Sequence, residues 1–266
     1  MILLKRVIKG VALICLTCFS FFYTDKVINL LNENDPLMDK IKAKQDNYLI
    51  EPVNAIIDND TIIPGINGKK MDVSKSYDEM KLGGIFREDL IIYNYLYPSD
   101  SLYNNKDKYI IKGNGNKKKV ALLVILSSRD IDKINNNNIT IFLNHKDIDI
   151  DNISKLKYNE VYSYGNNGVY NYDLLVNDNT IINRLSNNKS IYCLAKNKDN
   201  NVLDVCNKND MFVVIPNVIG GYFEIKNNIT NGSIILLDDI NYLNDVIKYI
   251  NGKGYEIIEL SKLLKE

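Results

Sequence analysis

The residues that could do chemistry in this chain are few. Asp238 and Asp239 stand together after the apolar run Ile234 to Leu237. A carboxylate pair there suits a hard cation such as Ca²⁺ or Mg²⁺, which takes oxygen ligands. Acidic pairs at strand ends also cap helices, and that plainer role is the favoured one. Ser127 and Ser128 follow a second apolar run, Val120 to Leu126, where a nucleophile could stand. A serine needs a base to activate it, and no His lies nearby in the chain, so a turn is the expected role. His145 is the single histidine. That excludes sites built on two or three His ligands and leaves a lone imidazole, expected as a surface or satisfied side chain. Of the four cysteines, Cys15 and Cys18 lie in an apolar N-terminal run, which leaves Cys193 and Cys206 to meet in the folded part. Free Cys is among the most buried residue types, which favours two buried thiols over the disulfide that an oxidising compartment would allow.

The Asp pair belongs to a strand, helix, strand unit. Gly232-Ser233 opens it and four apolar residues form a strand buried on both faces. Tyr242, Leu243, Val246, Ile247 and Ile250 then recur at helical spacing, Gly252 and Gly254 stop the helix, and Tyr255 to Leu260 reads as a second short strand. Such units imply a parallel sheet or barrel with its site at the carboxyl ends of the strands. The same alternation runs back to Val120. Strands are expected at Val120 to Leu126, Ile139 to Leu143, Glu160 to Tyr164, Ile191 to Leu194 and Phe212 to Ile215. Helices are expected over Ile148 to Leu156, Tyr172 to Leu185 and around Val202 to Cys206, with an Asn-rich loop at Asn135 to Asn138.

Upstream the pattern differs. Lys5, Arg6 and Lys9 precede the uncharged run Gly10 to Tyr23, the arrangement of a secretion signal or short signal anchor with its basic end in the cytoplasm. No small-x-small cleavage site follows Phe22, so an uncleaved anchor with an extracytoplasmic domain is expected. Thr24 to Asn47 reads as a polar stalk helix interrupted at Pro36, and 50–117 as a small β-rich unit, with a hairpin signal at Asn67-Gly68 and a short helix over Val73 to Leu82. The organisation is therefore an anchor (1–25), a stalk (26–49), a β-rich unit (50–117) and an α/β domain (118–266). Thirty-three basic residues balance 33 acidic ones in a chain of 266, which points away from nucleic acid as a partner.

Five local strings, in order, resemble the polysaccharide deacetylase family, the NodB-homology fold of carbohydrate esterase family 4. KKVALLVIL resembles the family's first strand, TIFLN at Thr140 to Asn144 its next, and EVYSYGNNGVYN its E-I-G-N-H-T-x-S-H segment. NVLDVC with MFVVIPNV resembles the helix and strand after the R-x-P-x-G motif, and GSIILLDD with GYEIIELSKLL the family's ending. The resemblance covers about Lys118 to Leu264 and implies an irregular (β/α) barrel. It also implies a metal held by one Asp and two His, a second Asp as base and a late His as acid. Residue by residue, the first strand's Asp-Asp pair falls on Ile125 and Leu126, the His ligands on Asn167 and Asn171, and the late His on Asp238, with the following Asp kept as Asp239. The R-x-P-x-G motif falls near Tyr192 to Lys196 and is absent. Neutral amides are poor zinc ligands but serviceable partners for a sugar.

These readings assign no catalytic residue, no metal and no cofactor. They point to a membrane-anchored, extracytoplasmic protein with a deacetylase-like fold that acts as a cell-envelope glycan-binding or scaffolding module. Asn167, Asn171, Tyr170, Asp238, Asp239 and Ser127 mark the relic pocket, and Tyr164, Tyr170 and Tyr222 are the aromatic candidates for stacking. Two alternatives stand beside it: a deviant carbohydrate deacetylase using Asp238, Asp239 and the Asn pair around an ion, and a cell-surface module that binds a protein partner through Pro64 to Gly68.

Overall fold

A computed structural model describes residues 2–135, 138–186 and 189–266; within these, the side chains of 2–9, 25, 28 and 29 are left undescribed. Asn136 and Asn137 of the Asn-rich loop therefore lie outside the described residues, as do the side chains of the basic residues before the apolar run. In chain order the strands are β1 (Ile56–Asp58), β2 (Thr61–Ile63), β3 (Gly68–Met71), β4 (Tyr93–Leu96), β5 (Tyr109–Ile110), β6 (Lys119–Leu126) and β7 (Thr140–Leu143). They continue as β8 (Glu160–Ser163), β9 (Tyr192–Leu194), β10 (Phe212–Val214), β11 (Val218–Gly220), β12 (Ile234–Leu237) and β13 (Glu256–Ile257). The helices are α1 (Ile2–Glu33), α2 (Pro36–Lys44), α3 (Val73–Met80), α4 (Ile150–Lys155), α5 (Tyr172–Leu185), α6 (Asn200–Lys208), α7 (Tyr222–Asn228), α8 (Leu243–Gly252) and α9 (Leu260–Leu263).

The chain forms two compact units, one from Met1–Glu51 with Gly68–Leu96 and the other from Pro52–Asn67 with Tyr97–Glu266. In the first, α2 starts at Pro36, where proline's missing N–H costs nothing, and Asp35 caps it by accepting from Leu37 N. Leu37, Met38 and Ile41 of α2 pack with Met71, Tyr77, Met80 and Ile91 into one small core beside the antiparallel pair β3–β4. Of Asp72 and Ser74, the two residues that could cap α3 by type, Asp72 does so by accepting from Lys75 N. The apolar side chains of α1 from Val11 to Tyr23, among them Leu13, Ile14, Leu16, Phe19, Phe21 and Phe22, are exposed. Among the described residues no helix is long and apolar enough to cross a membrane.

The second unit holds the α/β layer. Its main sheet runs β11-β12-β6-β7-β8, all parallel, with β13 pairing the start of β6. The reason β6 reads as one unbroken apolar run lies in its two faces. Val120, Leu122, Val124 and Leu126 enter one core, while Ala121, Leu123 and the half-buried Ile125 enter another. Helices α5 and α8 turn Leu175 and Ile182, and Leu243, Val246 and Ile250, inward at helical spacing. At the amino ends of the strands, the buried Glu160 accepts from Thr140 Oγ1 (2.6 Å), Tyr162 (2.8 Å) and Ser261 N (3.0 Å), which ties the C-terminal helix α9 to β7 and β8.

The structure departs from the sequence reading in three places. The second sheet, β1-β2-β5-β10-β9, takes β1, β2 and β5 from the stretch 50–117, so that stretch is divided between the two units. The strands of the second unit form two sheets; among the described residues no ladder pair joins β8 to β9, and no closed barrel of hydrogen bonds results. The hairpin of 50–117 turns at Asn59-Asp60, where Asn59 has φ 51°, and links β1 to β2. Asn67-Gly68 makes no such turn: the Asn67 amide instead donates to the Glu266 backbone oxygen at 3.0 Å, and Gly68 begins β3.

Candidate functional site

The parallel order of the main sheet brings the carboxyl ends of β12, β6, β7 and β8 to one edge, and the candidate residues lie along it. At the end of β6, Leu126 is 1 % exposed and Ile125 packs against the core of Tyr162 and Tyr164. Ser127 makes a turn, as expected: its Oγ donates to Asp130 Oδ2 at 2.8 Å and its carbonyl accepts from Asp130 N. The Lys133 ammonium, followed by the Ser127 hydroxyl, holds the Asp130 carboxyl below its ordinary range. At the end of β12, Asp239 accepts from Asn241 N at 2.9 Å, the plain role of a cap. Asp238 is exposed, and its Oδ1 lies beside Gly221 at the start of α7.

After β8 the chain makes a tight turn through Gly165 (φ 60°), Asn167 (φ 53°) and Gly168 (φ 86°). A Cβ at Gly165 or Gly168 would come within 3.0 Å of the Val169 carbonyl oxygen or the Tyr164 hydroxyl, so both the conformation and the close approach require glycine. The turn leaves Asn167 exposed, with its backbone N–H donated to Asn144 Oδ1 at 3.1 Å. Asn171 is the N-cap of α5, and its Oδ1 accepts from Asp173 N and Leu174 N. Tyr170 is buried rather than available for stacking. Its hydroxyl contacts the Ser163 carbonyl (3.3 Å) and the Leu194 carbonyl (3.1 Å), and accepts from Leu194 N (2.9 Å). That phenol bridges β8 and β9 where the backbones share no ladder, and burial drives its pKa far above the ordinary value. Tyr164 is buried too.

Of the expected site residues, Asn167 lines a groove at the ends of β8 and β9 with a volume of about 230 Å³, together with Tyr164, Gly168, Lys196, Lys198 and Asp199. Beneath it, Cys193 of β9 and Cys206 of α6 form a disulfide, Cα to Cα 6.4 Å. This corrects the expectation of two free thiols: packing α6 on β9 brings the Cβ atoms within bridging distance, which residue burial alone does not foretell.

His145 follows the end of β7. It is satisfied, as expected of a lone His, but by a buried network: Nδ1 lies 2.6 Å from Asp178 Oδ1, and Asp178 Oδ2 accepts from Ser163 Oγ at 2.6 Å. Ser163 Oγ in turn accepts from Gly165 N, so one network fixes the turn that carries Asn167. The sequence held a signal for it. Asp178 occupies the inward stripe of α5 between Leu175 and Ile182, and a carboxylate in such a stripe needs a partner.

The metal that the family resemblance implies does not fit these residues. Ile125 and Leu126 are packed hydrocarbon, and the Asn171 carbonyl oxygen already accepts two backbone N–H groups. Among the described residues no group of three or more His, Cys, Asp and Glu side chains converges to hold an ion.

Solved structures resemble this arrangement over most of its length. The CE4 family pseudoenzyme BA3943 of Bacillus anthracis superposes with a TM-score of 0.61, covering 88% of this chain and 96% of its own at 21% identity. The chain has the polysaccharide deacetylase fold. A BA3943 mutant described as a pseudoenzyme with restored enzymatic activity superposes with the same TM-score and 21% identity, covering 86% of this chain and 98% of its own. By sequence, the uncharacterized protein YlxY of Bacillus subtilis (strain 168) is 37% identical over 98 residues, 36% of this chain. The match spans 31% of that relative's length. No family's sequence profile matches the chain.

Proposed function

We propose that the chain is an extracytoplasmic, membrane-anchored module that keeps the deacetylase fold, has lost metal-dependent catalysis and binds a cell-envelope glycan. The observation that carries the loss is at the end of β6, where the two positions that the resemblance assigns to Asp are Ile125 and Leu126, both packed into cores. A carboxylate deacetylation site built there would have neither ligand nor base. The description of BA3943 as a pseudoenzyme is in keeping with this. The groove beside Asn167 retains what a neutral sugar needs: an amide that both donates and accepts, with Lys196 and Asp199 at its rim. The disulfide is the mark of an oxidising compartment. The ring of exposed apolar side chains on α1, after Lys5, Arg6 and Lys9, supports a membrane anchor with its basic end in the cytoplasm.

A second reading keeps a deviant carbohydrate deacetylase. It draws on the His145–Asp178 pair, since an imidazole oriented by a buried carboxylate is the form a general base takes. Two assays on the full chain in detergent separate the two readings. Calorimetric titration with Zn²⁺, Mn²⁺, Co²⁺ and Ca²⁺ is expected to show no specific binding, and incubation with an acetylated glycan is expected to release no acetate. Acetate release that disappears in His145→Ala would establish the enzyme reading instead.

A further inference from the structure

Helices α7 and α8 pack side by side, and between them lies a groove of about 580 Å³ that neither the catalytic resemblance nor the Asn167 groove uses. Tyr222, Phe223, Tyr242 and Tyr249 line it, with Asp245 and Lys248. Two of the rings are fixed. Tyr222 and Tyr249 pack against the main core with centroids 5.3 Å apart at 69°, and the Tyr249 hydroxyl donates to the Lys226 carbonyl. Phe223 stands at 86° to Tyr222, making a corner of two ring faces, and it is 72 % exposed; Tyr242 is 51 % exposed. Two exposed rings beside two packed ones give the groove an apolar platform on which a ligand can stack. Nor are the polar groups used internally. Among the described residues, the Asp245 carboxylate, the Lys248 ammonium and the Tyr222 and Tyr242 hydroxyls have no hydrogen-bond or ion-pair partner.

Ring faces at a fixed angle, beside unpartnered donors and acceptors whose charges cancel, match one chemistry. A pyranose presents an apolar C–H face and a rim of hydroxyls, and it carries no charge. A protein partner is a poorer match, because Asp and Lys are depleted from the buried centres of protein interfaces. The volume lies within the range of ordinary small-ligand sites.

We infer that the α7–α8 groove binds a neutral oligosaccharide, stacked on Phe223 and Tyr242 over a floor of Tyr222 and Tyr249. This rests on the glycan reading above and moves the main contact away from Asn167. The test is calorimetric titration of the full chain in detergent with chitotetraose, a neutral oligomer of N-acetylglucosamine. Phe223→Ala and Tyr242→Ala remove exposed side chains and leave the core intact, which circular dichroism verifies. Each is expected to weaken binding about tenfold, as truncating a central aromatic contact does. Tyr158→Ala, exposed elsewhere on the same unit, is expected to change nothing. Asn167→Gly removes the amide at the other groove without straining its positive φ, and is expected to weaken binding less than either aromatic variant does. Full affinity in both aromatic variants with loss in Asn167→Gly would overturn the inference and spare the glycan reading. Failure of the unaltered chain to bind would overturn both.

Discussion

The disulfide offers the sharpest quantitative test of the second unit. Cys193 and Cys206 are 13 residues apart and fully buried in the core shared by β9, β10 and α6. Cross-linking a loop of this length removes about 10 cal/mol/K of chain entropy from the unfolded state, or about 3 kcal/mol at room temperature. Cys193→Ala with Cys206→Ala is therefore expected to destabilise the unit by about 3 kcal/mol. At a urea slope near 2 kcal/mol per M, the unfolding midpoint falls by about 1.5 M. The assay is urea unfolding followed by tyrosine fluorescence, with and without a thiol reductant. The reductant should lower the midpoint of the parent and leave the double variant unmoved. Thiol titration of the unreduced, denatured chain should find the thiols of Cys15 and Cys18 alone. A parent chain that titrates at all four cysteines, or unfolds identically with reductant, refutes the cross-link and the compartment argued from it.

Other outcomes follow from the same contacts. Burial, ahead of every other cause, raises the phenol pKa values of Tyr162, Tyr170 and Tyr192. Their folded values exceed the unfolded value of about 10, so the stability they confer is complete below about pH 10 and lost as pH rises beyond it. In an alkaline titration the last phenolate absorbance should therefore appear together with loss of the circular dichroism signal; complete ionisation of a still-folded chain would contradict the burial. Tyr170→Phe should cost about 1–3 kcal/mol in chemical unfolding, since it leaves the Leu194 N–H without its acceptor between the sheets. Leu126→Asp, which reinstates a family acid, should cost upward of about 3 kcal/mol of thermal stability by burying a carboxylate among hydrocarbon. A Leu126→Asp variant as stable as its parent would show that β6 ends in a site and not in core.

Much of this architecture is written locally in the chain. Strands buried on both faces, such as β6 and β12, appear as unbroken apolar runs, and α5 and α8 carry inward stripes at helical spacing. The cap role of Asp239 and the turn at Ser127 are local too, and open to the same reasoning. What escaped depends on residues far apart in sequence. Asn59-Asp60 and Asn67-Gly68 both tolerate a turn, and the choice between them is made by which strands pair: β1 with β2, and β3 with β4. The Tyr170 hydroxyl reads as a sugar contact in the sequence, whereas in the fold Leu194, 24 residues on, occupies it. His145 meets Asp178 across 33 residues, so its chemistry belongs to the packing of α5 against β7 and β8. The α7–α8 groove had a single forewarning in the sequence, Tyr222, because its other rings come together only when the two helices pack.

The central claim is a deacetylase fold that holds glycan without a metal. Co-sedimentation of the full chain in detergent with insoluble cell-wall glycan, in a chelator and again after adding Zn²⁺, tests it most directly. The account predicts the same bound fraction in both conditions. Binding that appears only with Zn²⁺, or is absent from both, would contradict it.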